Sequence, residues 1–191
     1  LAIIAQFIIQ LIALSINGIN PIVYMKKSLA LLILAFTSRS SVGCLPVTIE
    51  TLTQKLGVNQ ATASFVAGFG TTAGMQGCAG IFPSLLIVYV CHLTGTAMDF
   101  SMIVMTIIVV TLGSLGIAGI PGTATMAASV GLSGVGMASS FSLIGPILAI
   151  DPLIDMARTM LNVSGSVTNA LIIDKRLGNL DENIYNEINK N

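Results

Sequence analysis

Long apolar runs broken by short polar or glycine-rich segments dominate the chain, and their lengths predict its elements. Residues 1–20 read as a first span. Between Lys26/Lys27 and Lys55, two apolar arms flank the polar break Thr37-Ser38-Arg39-Ser40-Ser41-Val42-Gly43-Cys44-Leu45-Pro46. At about 1.5 Å per residue, arms of roughly ten to fifteen residues reach only partway across a hydrocarbon core of about 30 Å. Basic residues gather on the cytoplasmic side of a membrane, so Lys26/Lys27 and Lys55 belong on one side and the segment must enter and return. Residues 21–56 are therefore predicted as a re-entrant helical hairpin opening inward. A single spanning helix with a polar centre would instead leave Lys27 and Lys55 on opposite faces.

The pattern continues through 59–93. Val66 to Thr72 and Ile81 to Cys91 are apolar halves separated by Ala73-Gly74-Met75-Gln76-Gly77-Cys78-Ala79-Gly80, which predicts a broken span whose freed carbonyls could meet an ion. The alternative is a glycine-rich helix packed closely on its neighbours. In 99–132, Phe100 to Thr111 and Thr123 to Leu132 flank a stretch with glycine at 113, 116, 119 and 122 and with Pro121. Such a stretch cannot stay helical without cost. Irregular backbone at membrane depth survives only inside protein or along a cavity, so this is a second hairpin, entering from the outside. Two opposed hairpins point to a transport site between them. Residues 141–175 form a last span, and 177–191 a polar, frayed cytoplasmic tail. The fold class is an all-α polytopic membrane protein.

Composition sharpens this picture. Of 191 residues 54% are apolar and 8% charged, and the mean hydropathy is +0.92. A soluble chain carries roughly 25% charged residues. The 8 basic and 8 acidic side chains cancel, so no field directs the chain to nucleic acid. Cys44, Cys78 and Cys91 lack the paired spacing of zinc or redox sites and read as small buried residues. Leu1 already lies within an apolar run, which reads as an internal or C-terminal piece of a longer protein. An intramembrane hydrolase would need a nucleophile–base pair, but neither His nor Lys lies near the serines of the apolar spans. No enzyme and no cofactor are expected.

The last span carries the candidate chemistry. Asp151, Asp155, Arg158, Asn162 and Ser166 follow one another at steps of four, three, four and four, with Thr159 beside them. At about 100° per residue they share one narrow helix face. Ionisable groups inside a membrane cost at least about 2.5 kcal/mol and face a cavity or a partner. The stripe suits zwitterion recognition, a carboxylate for an ammonium and a guanidinium for a carboxylate. An Asp155–Arg158 ion pair serving helix packing is the plainer alternative.

Three segments carry a family resemblance. They are Arg39-Ser40-Ser41-Val42-Gly43-Cys44-Leu45-Pro46-Val47-Thr48, Ala118-Gly119-Ile120-Pro121-Gly122 and Asp151-Pro152-Leu153-Ile154-Asp155-Met156-Ala157-Arg158-Thr159-Met160-Leu161-Asn162-Val163. They resemble the first hairpin, second hairpin and last helix of the dicarboxylate/amino acid:cation symporters, the glutamate-transporter family, in that order. The whole chain corresponds to the C-terminal half of such a protein, and Gly70-Thr71-Thr72 with Gly77-Cys78-Ala79-Gly80 looks most like the bacterial L-cystine branch.

The resemblance implies a secondary active amino-acid symporter of the cell membrane, multi-pass, with its C-terminus cytoplasmic. Such a carrier is trimeric through an N-terminal scaffold. The favoured substrate is L-cystine; glutamate, aspartate or a C4-dicarboxylate is the alternative within transport, and a non-transport bundle with a structural Asp/Arg pair the alternative outside it. It also implies that Asp155 holds the substrate ammonium and Arg158 the distal carboxylate. Asn162, Thr159, Ser40 and Ser41 would hold the α-carboxylate, and Ala118-Gly119 would cap the site. Two departures matter. The family's Asn-Met-Asp-Gly-Thr becomes Gly74-Met75-Gln76-Gly77-Cys78, and its Asn-Val-Thr-Gly-Asp becomes Asn162-Val163-Ser164-Gly165-Ser166. Both sodium-binding carboxylates are thus replaced by neutral groups, which hold a hard cation less well. A sodium ion is left with Gly70, Thr72, Met75, Ser114 and Asn162, or the coupling ion is a proton at Asp151 or Asp155.

Overall fold

A computed structural model describes residues 1–187, and Lys190 with the rest of 188–191 lies outside the described residues. All regular structure among the described residues is helical. Helix α1 (Ala2–Ile16) ends at Asn17, and Asn20 then caps α2 (Pro21–Ser38) by accepting from the Ile22 N–H, with Pro21 at the first turn. Asn and Pro in these two places are a strong start signal, and they begin α2 well before Lys26. The first arm is therefore 18 residues long, beyond the ten to fifteen expected from the positions of the lysines. The chain reverses through 39–44 and returns as α3 (Leu45–Glu50) and a π-helical turn (Thr51–Lys55). Lys27 Nζ donates to the Lys55 carbonyl at 2.8 Å, so both ends of the segment lie at the same level.

Helix α4 (Gln60–Gly70), capped by the Asn59 side chain, stops at Thr71, and 71–75 are non-helical. The break is narrower than expected. Gly77 and Gly80 do not interrupt the chain but lie in a π-helical turn (Gln76–Ile81) that runs into α5 (Phe82–Thr94). A Cβ on Gly77 would stand 2.9 Å from the Arg158 carbonyl oxygen, so the glycine serves close backbone approach. Helix α6 (Phe100–Ser114), capped by Asp99, and α7 (Thr123–Gly134) are joined by the glycine-rich turn 115–122. A 3-10 segment (Ala138–Ile144) leads into α8 (Gly145–Leu177), which spans 33 residues, or about 50 Å at 1.5 Å per residue.

Helix α8 is the axis of the molecule. Leu14, Tyr24, Leu31, Ala63, Val167 and Leu171 pack around its C-terminal half, and Leu161 to Thr168 are buried without interruption. A second apolar cluster of Phe82, Ile87, Val90, Ala128, Leu132 and Ile144 joins α5 to α7. Outside this core, Ile4, Ile8, Ile12, Phe100, Ile107 and Leu112 point outward. Apolar surface of that extent is covered by lipid or protein, not water. Among the described residues, three helical stretches, Pro21–Ser38, Gln76–Thr94 and Ala138–Leu177, are long and apolar enough to cross a membrane.

The tail differs from the frayed end that was expected. Helix α9 (Glu182–Asn186) begins at Asp181, whose carboxylate caps it and whose N–H donates to the Gly57 carbonyl at 2.9 Å. Tyr185 is buried and donates to the Asn20 carbonyl at 2.9 Å. Lys175 pairs with Glu182 and Arg176 reaches Asn17, so the basic groups of α2, of the π-helical turn at Lys55 and of α8 share one end.

Candidate functional site

The two turns and the break in the α4–α5 span meet at Gly119. Its N–H donates to the Thr71 carbonyl at 2.9 Å, and its own carbonyl accepts from the Val42 N–H at 3.1 Å and from Ser40 Oγ at 3.3 Å. A Cβ there would lie 2.6 Å from the Thr71 oxygen and 2.9 Å from Ser41 Cβ, so only glycine lets the three backbones converge. Thr123 holds the turn from inside: its hydroxyl donates to the Ala118 carbonyl at 2.5 Å and accepts from the Ile120 N–H at 3.1 Å. Ser40 Oγ likewise accepts from the Gly43 N–H at 2.9 Å.

The stripe of α8 faces this junction, and Asp151, Asp155, Arg158, Thr159, Asn162 and Ser166 are all buried. Arg158 Nη2 lies 2.5 Å from Asp151 Oδ1 and 3.3 Å from Asp155 Oδ1, while the guanidinium stacks 4.0 Å above the Phe82 ring. The expected Asp155–Arg158 pair is present, but the shorter contact spans two turns, to Asp151. Among the described residues, Arg158 Nε and Nη1 are buried with no hydrogen-bond partner. Buried donors left unsatisfied cost about 1–3 kcal/mol or more, and at a functional site they mark where an acceptor is received.

The π-helical turn closes the other wall. Asn162 Oδ1 accepts from the Gly77 N–H at 2.7 Å, and Asn162 Nδ2 reaches Cys78 Sγ at 3.1 Å. The Cys78 thiol in turn points at Asp155 Oδ1, 3.4 Å away. The resulting closed pocket is lined by Arg39, Ser41, Met75, Cys78, Gly119, Ile120, Thr123, Asp155, Thr159 and Asn162. The turns are closed down on it so tightly that no space for a water molecule remains, whereas small-molecule pockets usually offer about 300 Å³ or more.

Of the expected substrate residues, Ser41, Gly119, Asp155, Thr159 and Asn162 line the cavity directly. Arg158 lies behind Asp155, Ser40 braces the junction, and the exposed Ala118 contributes its carbonyl to Thr123. The expected cation residues do not form one group. Met75 and Asn162 line the cavity; Gly70 is buried against Ser166; Thr72 hydroxyl turns back to the Phe69 carbonyl. Ser114 sits apart, with Val109, Gly113, Ile117 and Gly131 around a second, equally closed pocket.

Several polar groups escaped the sequence reading. Cys78 read as a packing residue, yet it bridges Asp155 and Asn162. Gln76 Oε1 accepts from Gln6 and Gln10 at 3.0 and 2.9 Å, and Gln10 Oε1 accepts from Ser164 Oγ at 2.5 Å, which also meets the Tyr24 hydroxyl. The available signal was two glutamines four residues apart in an otherwise apolar helix.

Residues 1–176 match the model of the sodium:dicarboxylate symporter family. The L-cystine uptake protein TcyP of Bacillus cereus is 43% identical over 187 residues, 97% of this chain and 40% of that protein. Its namesake in Bacillus licheniformis is 42% identical over the same shares. The Shouchella clausii protein of that name is 41% identical over 99% of this chain and 40% of its own length. The chain thus spans about 40% of the length of the curated relatives it matches.

Proposed function

The chain belongs to the sodium:dicarboxylate symporter family, and from that premise we propose that it is the solute-carrying core of a secondary active L-cystine symporter. The observation that carries this reading is the charge balance at the junction. Two guanidiniums, Arg39 and Arg158, stand against two carboxylates, Asp151 and Asp155. A balanced cavity suits a solute whose ammonium and carboxylate groups are equal in number, as in L-cystine. Glutamate and aspartate bring excess negative charge and succinate brings more; succinate would also leave Asp155 without an ammonium. The relatives' names, which speak of L-cystine uptake, agree with this choice.

In this proposal Asp155 takes an ammonium, and the unpartnered Nε and Nη1 of Arg158 take a carboxylate. Asn162, Thr159, Ser40 and Ser41 complete the polar shell around that head. The segments 21–56 and 99–132 are re-entrant hairpins, and Ala118-Gly119 is the outer gate, which must lift to admit a solute larger than the closed cavity. The basic end with the C-terminus is cytoplasmic. The remaining length of the carrier supplies the scaffold and the trimer contacts.

Coupling falls to fewer sodium ions than two carboxylates would hold, at Met75, Asn162, Gly70 and Thr72, or to a proton at Asp151 or Asp155. Uptake of labelled L-cystine by the full-length carrier in proteoliposomes tests the reading. Unlabelled cystine is expected to compete fully, with glutamate, aspartate and succinate at most weak. Uptake that favours succinate over cystine would overturn it, and steep multi-sodium cooperativity at fixed pH would overturn the coupling scheme.

A further inference from the structure

We propose that Arg39, at the tip of the first turn, is a specificity-determining residue that receives the second carboxylate of a two-headed solute. The proposal rests on the L-cystine reading and adds to it a site for the far end of the molecule. Three independent observations converge on this side chain.

The first is backbone conformation. Arg39 follows the last residue of α2 with φ 54°, and among the described residues it is the one non-glycine with positive φ. Glycine or asparagine normally ends a helix in this conformation, because a Cβ is unfavourable there. An arginine kept against that preference points to a task for its side chain.

The second is placement. Arg39 lines the same cavity as Asp155, Thr159 and Asn162. Its Nη1 donates to the Pro152 carbonyl at 3.2 Å, which anchors one edge of the guanidinium on α8 and leaves further donors of the fork for a ligand.

The third is charge. Arg158 already answers Asp151 and Asp155, whereas among the described residues Arg39 makes no ion pair. The two carboxylates leave Arg158 and its partners with a net negative charge, and Arg39 restores neutrality. A solute that offers one ammonium to Asp155 and one carboxylate to Arg158 still has a second head to place. A planar fork that binds a carboxylate through two parallel bonds is the group suited to that head.

The test uses the full-length carrier with L-cystine and its monoamide, in which one carboxylate is replaced by a neutral amide. Wild-type carrier should prefer cystine by about tenfold or more, the order expected for one charge-assisted carboxylate contact. In Arg39→Gln that preference should collapse to about unity, and Arg39→Lys should keep an intermediate part of it. Arg39→Gly, which relaxes the left-handed position, should collapse the preference equally. A ratio between two ligands on one protein is independent of how much of it folds. An unchanged ratio in Arg39→Gln, or no preference in the wild type, would overturn the proposal. A wild type that binds neither ligand would instead overturn the L-cystine reading itself.

Discussion

The two turns that meet at Gly119 are carried by arms of opposite construction. Helix α2 presses Tyr24, Ser28, Leu31, Leu32 and Ala35 into the core, and the Tyr24 hydroxyl meets Ser164 on α8 at 2.6 Å. Its base is strapped as well, since Lys27 donates to Lys55 and Ile184 carbonyls and Tyr185 donates to Asn20. Helix α6 buries only Thr106 among its described residues. It is held by apolar packing on α7, tight enough that a Cβ on Gly134 would stand 2.3 Å from Val109 Cγ1. Its turn reaches the first arm through backbone bonds at Gly119 and the Ser40 hydroxyl. Apolar surfaces slide past each other at little cost, whereas ordered polar networks must break to move. This contrast supports the proposed gate, in which the first arm would serve as a wall and the second as the part that lifts.

Both arms close against α8, so the coarsest way to break this contrast is to remove the charge beneath them. Arg158→Ala strands Asp151 and Asp155 in a buried place, and full-length carrier should lose about 3–5 kcal/mol of stability, read as a fall in Tm. An unchanged Tm would mean that the two carboxylates are not held by this pair. Gly119→Ala targets the meeting point itself. The Cβ meets the Thr71 carbonyl, which cannot swing aside, so closure fails while each arm stays folded. Uptake should fall by roughly 100-fold, as for a misplacement of about 1 Å at a positioned site, with Tm nearly constant. A fall in Tm matching the fall in uptake would place Gly119 in the fold rather than the gate.

The smallest expected effect concerns the strap. Tyr185→Phe removes one hydrogen bond to Asn20 and should cost about 1 kcal/mol. Burial pushes the Tyr185 phenol above its ordinary value of 10.0. The folded protein then keeps a proton that the unfolded chain releases, so this contribution is whole below about pH 10 and shrinks as pH rises beyond it. Hydrogen exchange of 181–187 should accelerate above that pH in the wild type, with a weaker pH response in Tyr185→Phe. Equal profiles would show that the phenol does not hold the strap.

Much of this was legible from spacing. The steps of four, three, four and four put Asp151 through Ser166 on one face, and that face is buried at the junction. The match of the sodium:dicarboxylate symporter family agrees with the resemblance drawn from the three polar segments. What stayed hidden depends on partners distant in sequence. Gly77 and Gly80 read as a break, yet both lie in a π-helical turn, with Gly77 close against the Arg158 backbone. Asp174, at the end of the last span, stood outside the polar stripe, yet it is fully buried and accepts from the Asn59 N–H at 2.8 Å and the Thr62 hydroxyl at 2.7 Å. There it satisfies the start of α4, where a helix favours negative charge. Periodicity reports which face a residue shares, and it is silent on what that face will meet.

Asp155 and Asp174 are both buried carboxylates of α8, one at the junction and one at the strapped end. Equilibrium binding of labelled L-cystine to purified full-length carrier, comparing Asp155→Asn with Asp174→Asn, tests the central claim most directly. Asp155→Asn, in which Asp151 still holds Arg158, should stay folded and bind roughly 10- to 100-fold more weakly, as when a charged contact to the ammonium is lost. Asp174→Asn should bind as the wild type does. Equal affinities for the Asp155 variant and the wild type would contradict a cystine site at the meeting of the two turns and α8.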